Sequence, residues 1–161
     1  MRAISARQAV GVGVVALCAL LPVALAAQAP DPMVGTWKLD VAKSTYKPGP
    51  PPKSATVTIS PAAGKGLKVS VDAALAEGPL KFEYSNGRDG KDSPVTGHPQ
   101  YDSVNVTQVS PTEGSIDYKK AGKTVVKAKT ELSKDGKTMT VTSTGTDAKG
   151  TPIHNVAVYT R

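Results

Sequence analysis

From Gly35 to Arg161 the chain is a succession of short segments in which apolar and polar residues alternate, separated by Gly, Asp, Asn and Pro. A period of two sends one set of side chains to a dry face and the other to water, whereas a helical stripe needs a period near 3.6. Ala55, Val57 and Ile59 interleave with Thr56, Thr58 and Ser60, and after a turn Leu67, Val69 and Val71 interleave with Lys68, Ser70 and Asp72. Leu80, Phe82 and Tyr84 alternate in the same way with Lys81, Glu83 and Ser85, and lead into the turn dipeptides Asn86-Gly87 and Asp89-Gly90. Helical spacing shows only weakly, around Asp72 to Glu77. The pattern predicts an all-β fold, an antiparallel up-and-down meander closed into a barrel of about eight to ten strands, with a sandwich as the alternative.

The remaining segments fit the same scheme. Trp37 and Leu39 share one face of the first expected strand, and Val41 to Lys53, with its Pro48-Gly49-Pro50-Pro51-Pro52 run, reads as a stiff crossing loop. Lys91 to Pro99 reads as a short edge strand and a loop. Val104 and Val106 mark a further strand, and Ile116 with Tyr118 another. Val126, Ala128, Thr130 and Leu132 share a face, as do Met139, Val141 and Ser143, and Ile153 to Arg161 forms the last strand.

The start of the chain reads as an address rather than as part of the fold. Arg2 and Arg7 precede an uncharged apolar run from Ala9 to Leu21, and Ala24-Leu25-Ala26 offers small residues where a signal peptidase reads them. The run is shorter than the about 20 apolar residues of a membrane span, so no integral span is expected. The expected organisation is a secretory signal peptide over 1–26, a flexible N-terminus over 27–34 and one barrel domain over 35–161, in a periplasmic or secreted monomer. Cys18, the single cysteine, follows Leu17 rather than a small residue, which argues against lipid attachment. The processed chain would then hold no thiol, and a packed core must do what disulfides often do outside the cytoplasm.

The formal charge of +7 falls once Arg2 and Arg7 are removed, and the remaining lysines are dispersed. Lys68 and Lys81 alternate with apolar neighbours, while Lys119, Lys120 and Lys123 flank a turn. Nucleic-acid surfaces cluster cations beside stacking aromatics. Dispersed lysines instead describe a solvated outer face, so no nucleic-acid partner is expected.

Gly35-Thr36-Trp37-Lys38-Leu39-Asp40, the stretch 89–97 (Asp-Gly-Lys-Asp-Ser-Pro-Val-Thr-Gly) and the stretch 133–142 (Ser-Lys-Asp-Gly-Lys-Thr-Met-Thr-Val-Thr) resemble bacterial exported lipocalin-like proteins of the calycin superfamily. The resemblance spans nearly all of 35–161. It implies that Trp37 plugs the closed end of the barrel and that Arg161 packs across it. It also exposes a departure: fatty-acid-binding members carry Arg-x-Tyr in the last strand to hold a carboxylate, and here Tyr159 matches while Ala157 stands at the arginine position. A ligand held without that clamp is expected to be neutral or weakly polar.

Catalysis finds little support. His98, in a Gly-His-Pro loop, and His154, in the last strand, read as surface residues, and no spacing suits a zinc site. No serine stands in a nucleophile elbow, and Asp89, Asp92, Asp135 and Asp147 sit in turns where carboxylates bind local backbone. No enzyme activity, metal or cofactor is expected. Barrels of this size hold small ligands, so the expected function is non-catalytic binding of a small hydrophobic, lipid-like molecule outside the cytoplasm. The low aromatic content predicts a pocket lined mainly by aliphatic residues, with Phe82, Tyr84, Tyr118, Met139, Val141, Asn155, Ala157 and Tyr159 as candidates. The alternative is a filled barrel that binds a protein or envelope surface through its loops, chiefly 48–52 and the His98 loop.

Overall fold

The computed structural model of the protein describes residues 30–161, so the expected signal peptide over 1–26 lies outside the described residues. Eleven strands follow in order: β1 (Gly35–Leu39), β2 (Thr45–Lys47), β3 (Ser54–Pro61), β4 (Leu67–Leu75), β5 (Gly78–Asn86), β6 (Asp89–Thr96), β7 (Ser103–Ser110), β8 (Glu113–Lys120), β9 (Lys123–Leu132), β10 (Thr138–Thr146) and β11 (Pro152–Thr160). Each strand from β3 to β11 pairs antiparallel with the next, and β1 joins β3 to β11, which closes a ten-stranded meander barrel.

Closure changes the reading of Val41 to Lys53. Only its proline-rich part is a loop; Val41–Lys43 is a single 3-10 turn, capped by the Asp40 side chain, and Thr45–Lys47 is a strand paired with β11. β1 occupies the Tyr159–Thr160 part of the β11 edge and β2 the His154–Val156 part. Between them the Asp40 N–H donates to the Val158 carbonyl at 2.8 Å and the Val158 N–H donates to Ser44 Oγ at 3.0 Å. An otherwise open edge is thereby satisfied, which is the physical reason that so short a strand forms. Proline 48 then removes the next donor and ends it.

Two further expectations are corrected. The weak helical spacing near Asp72 is overridden by pairing, because Asp72 lies opposite Lys81 in the β4–β5 hairpin. The segment expected as a short edge strand and loop begins instead with β6, an eight-residue strand inside the closed ring. β6 meets β5 at only two register positions, Glu83–Thr96 and Tyr84–Val95, and then follows β7 across a bulge between Asp89 and Asp92.

The register builds the interior in rows. Val57, Val71 and Phe82 stand side by side across β3, β4 and β5, as do Ile59, Val69 and Tyr84. On the far wall Ile116, Ala128, Ser143, Asn155 and Tyr46 form another row. The near rows are uniformly bulky, while the far row includes the small Ala128 and Ser143. Each fully buried aliphatic contributes about 1.5–3 kcal/mol, and Val57, Ile59, Leu67, Val69, Val104 and Leu132 are all buried.

The outward residues of the same strands carry the dispersed lysines. Lys68–Glu83 at 3.0 Å, Lys81–Asp72 at 2.6 Å and Lys127–Asp117 at 3.0 Å are cross-strand ion pairs in water. Exposed pairs of this kind contribute about 0–1 kcal/mol each. They also mark the outside of the barrel as polar.

Candidate functional site

Trp37, expected to plug the closed end of the barrel, is fully buried. Its indole N–H donates to the Met33 carbonyl at 2.9 Å, and the Arg161 guanidinium lies over the ring at 4.6 Å from its centre. Arg161 also donates through Nη1 to the Val34 carbonyl at 3.1 Å. Gly136, with φ +67° in the β9–β10 turn, makes room for it, since a Cβ there would stand 3.1 Å from Nη2.

The lead segment 27–34, expected to be flexible, is described from Pro30 onward, and 31–34 pack onto this end. Met33 is buried, and Asp31 pairs with Arg88 at 2.6 Å with both side chains mostly covered. Arg88 also donates from Nε and Nη2 to the Lys65 carbonyl at 3.2 and 2.8 Å. No periodic pattern marks Asp31 or Met33, because their partners come from the β5–β6 turn and the indole of β1.

The barrel holds a cavity of about 280 Å³. Phe82 and Tyr84 on β5, Tyr118 on β8, Met139 and Val141 on β10, and Asn155, Ala157 and Tyr159 on β11 all line it. Asn155 spends its Oδ1 on the Lys47 N–H at 3.2 Å, which ties β2 to the wall. Ala157 is buried. Among the lining residues Arg88 and Glu113 carry formal charge, and the Arg88 charge is met by Asp31 outside the cavity.

The wall is mainly aliphatic, as expected, and adds rings that were not among the candidates. Tyr46 and Tyr101 line it with Tyr84, Tyr118 and Tyr159, so all five tyrosines and the single phenylalanine of the chain surround one space. His98 corrects the expectation of a surface residue. It is half-buried against that space, whereas His154 is exposed. The His98 and Tyr101 rings stack at 3.9 Å between centroids, Tyr101 stacks on Tyr118 at 4.8 Å, and Phe82 meets His98 edge-on at 4.9 Å. Tyr84 stands edge-on to Tyr118 at 6.4 Å.

The loop 97–102 places two of these rings. Gly97, with φ +91°, lies so close to β5 that a Cβ would strike the Lys81 carbonyl and approach Phe82 Cα to 3.2 Å. At its other end the loop is pinned to the β8–β9 turn, since the Asp102 N–H donates to the Lys119 carbonyl at 3.0 Å and Asp102 Oδ2 accepts from the Ala121 N–H at 2.8 Å. Within the loop His98 Nδ1 accepts from the Gln100 N–H at 3.1 Å. That bond requires an unprotonated Nδ1.

The electrostatics of the chamber favour neutral groups. Burial pulls the His98 imidazole down to about 4, with the Lys120 ammonium adding to the effect. Burial pushes the Tyr84 phenol up to about 12, and it raises Tyr46, Tyr101, Tyr118 and Tyr159 as well. Asn86 is a buried polar group in the wall: its Nδ2 donates to the Leu67 carbonyl at 3.3 Å, while its Oδ1 has no partner among the described residues.

The turn carboxylates do local work. Asp147 Oδ1 accepts from the Lys149 and Thr151 N–H groups, both at 2.8 Å, and Asp135 Oδ1 accepts from the Lys137 N–H at 3.1 Å. Asp89 binds the Lys91 N–H in the same way. Asp92 corrects the expectation of a turn carboxylate: it lies within β6, and its Oδ1 accepts from Lys119 Nζ at 2.6 Å and Asn105 Nδ2 at 3.0 Å, both on other strands. Among the described residues no three His, Cys, Asp or Glu side chains are grouped to hold a metal ion, and no helix is long and apolar enough to cross a membrane.

Fold and site together define a closed antiparallel β-barrel with an internal, largely apolar and aromatic cavity, an architecture consistent with a lipocalin-like fold. Comparison with protein-family models and with curated proteins finds no match to this chain.

Proposed function

We propose that the protein is an exported, lipocalin-like member of the calycin group that binds and carries a small, uncharged hydrophobic molecule outside the cytoplasm, without performing chemistry on it. The observation that carries this reading is the cavity of about 280 Å³, close to the lower end of the range of small-molecule sites. Natural interiors are close-packed, and a void of this size forgoes packing contacts that a filled core would make. Ser143 and Ala157, both small, are among the residues that line it.

The lining supports an uncharged occupant. Ala157 stands where a carboxylate-binding arginine would stand, and Arg88 already has Asp31 and the Lys65 carbonyl as partners. An anionic ligand would lose its water without gaining an unpaired cation.

Native mass spectrometry of the protein extracted from its producing cell tests the reading. A bound small mass that is released on unfolding is the expected result. A bare polypeptide mass, together with no uptake of any member of a panel of apolar fluorescent dyes, would overturn it.

A further inference from the structure

We infer that the ligand is a flat, conjugated ring compound bearing a carbonyl or hydroxyl oxygen rather than an acyl chain, and that Tyr118 with its ring neighbours selects it. The inference rests on the carriage proposed above and goes on to name the chemical class carried.

The first ground is where the aromatic residues are. Aromatics make up 4% of the chain, as one Trp, one Phe and five Tyr. The Phe and all five Tyr line the cavity. Burial alone does not account for this. A filled core would use rings to occupy space, whereas these surround a space, and the stacked His98, Tyr101 and Tyr118 rings all line it. Offset-stacked and edge-on ring pairs gain beyond simple burial, which a methylene chain does not match.

The second ground is that the rings are phenols. A hydroxyl transferred to an apolar interior without a partner is costly, so a wall built only for shape or for an acyl chain is better made of Phe and Leu. Five hydroxyls are placed there instead. Tyr118 is their centre: its ring stands edge-on to Tyr84 at 6.4 Å between centroids and stacks on Tyr101 at 4.8 Å. Asn86 adds, on the same wall, a buried acceptor with no partner among the described residues. Neutral phenols donate to carbonyl oxygens and accept from hydroxyls. A saturated chain offers them neither, while a ring with an oxygen on its edge offers both faces and a polar rim.

The test compares two neutral probes of similar size, 2-acetylnaphthalene and 1-decanol, titrated into the intact protein and followed by calorimetry and tyrosine ring resonances. Binding of 2-acetylnaphthalene at least about tenfold tighter than 1-decanol, with shifts at Tyr118 and Tyr101, is expected. Tyr118→Leu should then weaken the naphthalene at least about tenfold and leave decanol nearly unchanged. Tyr118→Phe, which keeps the ring and the fold, should lose only the hydrogen-bonding share. Decanol bound as tightly as the ring compound would overturn the ring inference and leave carriage standing. Failure of both probes, with no co-purified ligand, would overturn the two proposals together.

Discussion

The guanidinium of Arg161, the last residue of the chain, lies over the indole of Trp37 in the first strand at 4.6 Å from the ring centre. Barrel closure brings them together, because β1 and β11 pair through Lys38–Thr160 and Leu39–Tyr159. The two residues contribute unequally. Trp37 is wholly buried while Arg161 is exposed, so the indole stabilises through the area it removes from water and the guanidinium through a screened cation–π contact. Trp37→Ala is expected to cost about 3–5 kcal/mol and Arg161→Ala about 0.5–1 kcal/mol. Urea unfolding followed by circular dichroism measures both. Equal losses for the two variants would contradict this assignment of roles.

Acid should loosen the aromatic loop. The folded His98 titrates near 4, below its ordinary value of about 6.5, so between those values the unfolded chain binds the extra proton. Stability contributed by His98 is therefore complete above about pH 6.5 and is lost as pH falls towards 4. The groups facing it are the Tyr101 and Phe82 rings, the Gln100 N–H and, at longer range, Lys120. None of them is an anion that would welcome an imidazolium. Histidine resonances followed by NMR should place the His98 midpoint near 4, and His98→Phe should flatten the stability profile between pH 4 and 6.5. A His98 midpoint at the ordinary value of about 6.5 would show the ring to be in water.

Alkali tests the phenol cluster. All five tyrosines have raised values, Tyr84 to about 12, because burial opposes the phenolate. The native state keeps its phenol protons above pH 10, where the unfolded chain has lost them, so stability should fall as pH rises through and beyond 10. Absorbance at the phenolate band should show little ionisation of the folded protein near pH 10.5 and full ionisation in urea. Ordinary titration of all five, with the circular dichroism unchanged, would mean that the chamber is wet.

Much of the fold is legible in the alternation, and the reason is local. Leu67, Val69, Tyr84, Val126, Met139 and Ala157 are assigned to the interior by a period of two, and each is buried. The turns at Asp135 and Asp147 announce themselves by residues that bond their own backbone. β2 was not legible, because three residues between a turn and a proline run carry no periodic signal. Its existence depends on an edge of β11 more than a hundred positions away.

The candidate site divides along the same line. Its eight anticipated wall residues lie on strands, where facing follows from parity alone. Tyr46 sits on the unanticipated β2, His98 and Tyr101 on a loop, and Asp31, Met33 and Arg88 meet at a barrel end. For such residues sequence position says nothing about facing. A glycine before a histidine, as at Gly97, is the one local hint that the loop crosses close to another strand.

Side-chain parity, turn chemistry and an apolar face that must be covered are properties of neighbouring residues, so the linear order of residues was enough to specify an antiparallel barrel and most of its inner wall. Whether that wall meets itself across a filled core or around an open chamber depends on ring closure and on which large residues face which small ones. Those are distances between segments remote in the chain. Only the folded arrangement could place every phenol of the molecule around one space and set Arg161 over Trp37.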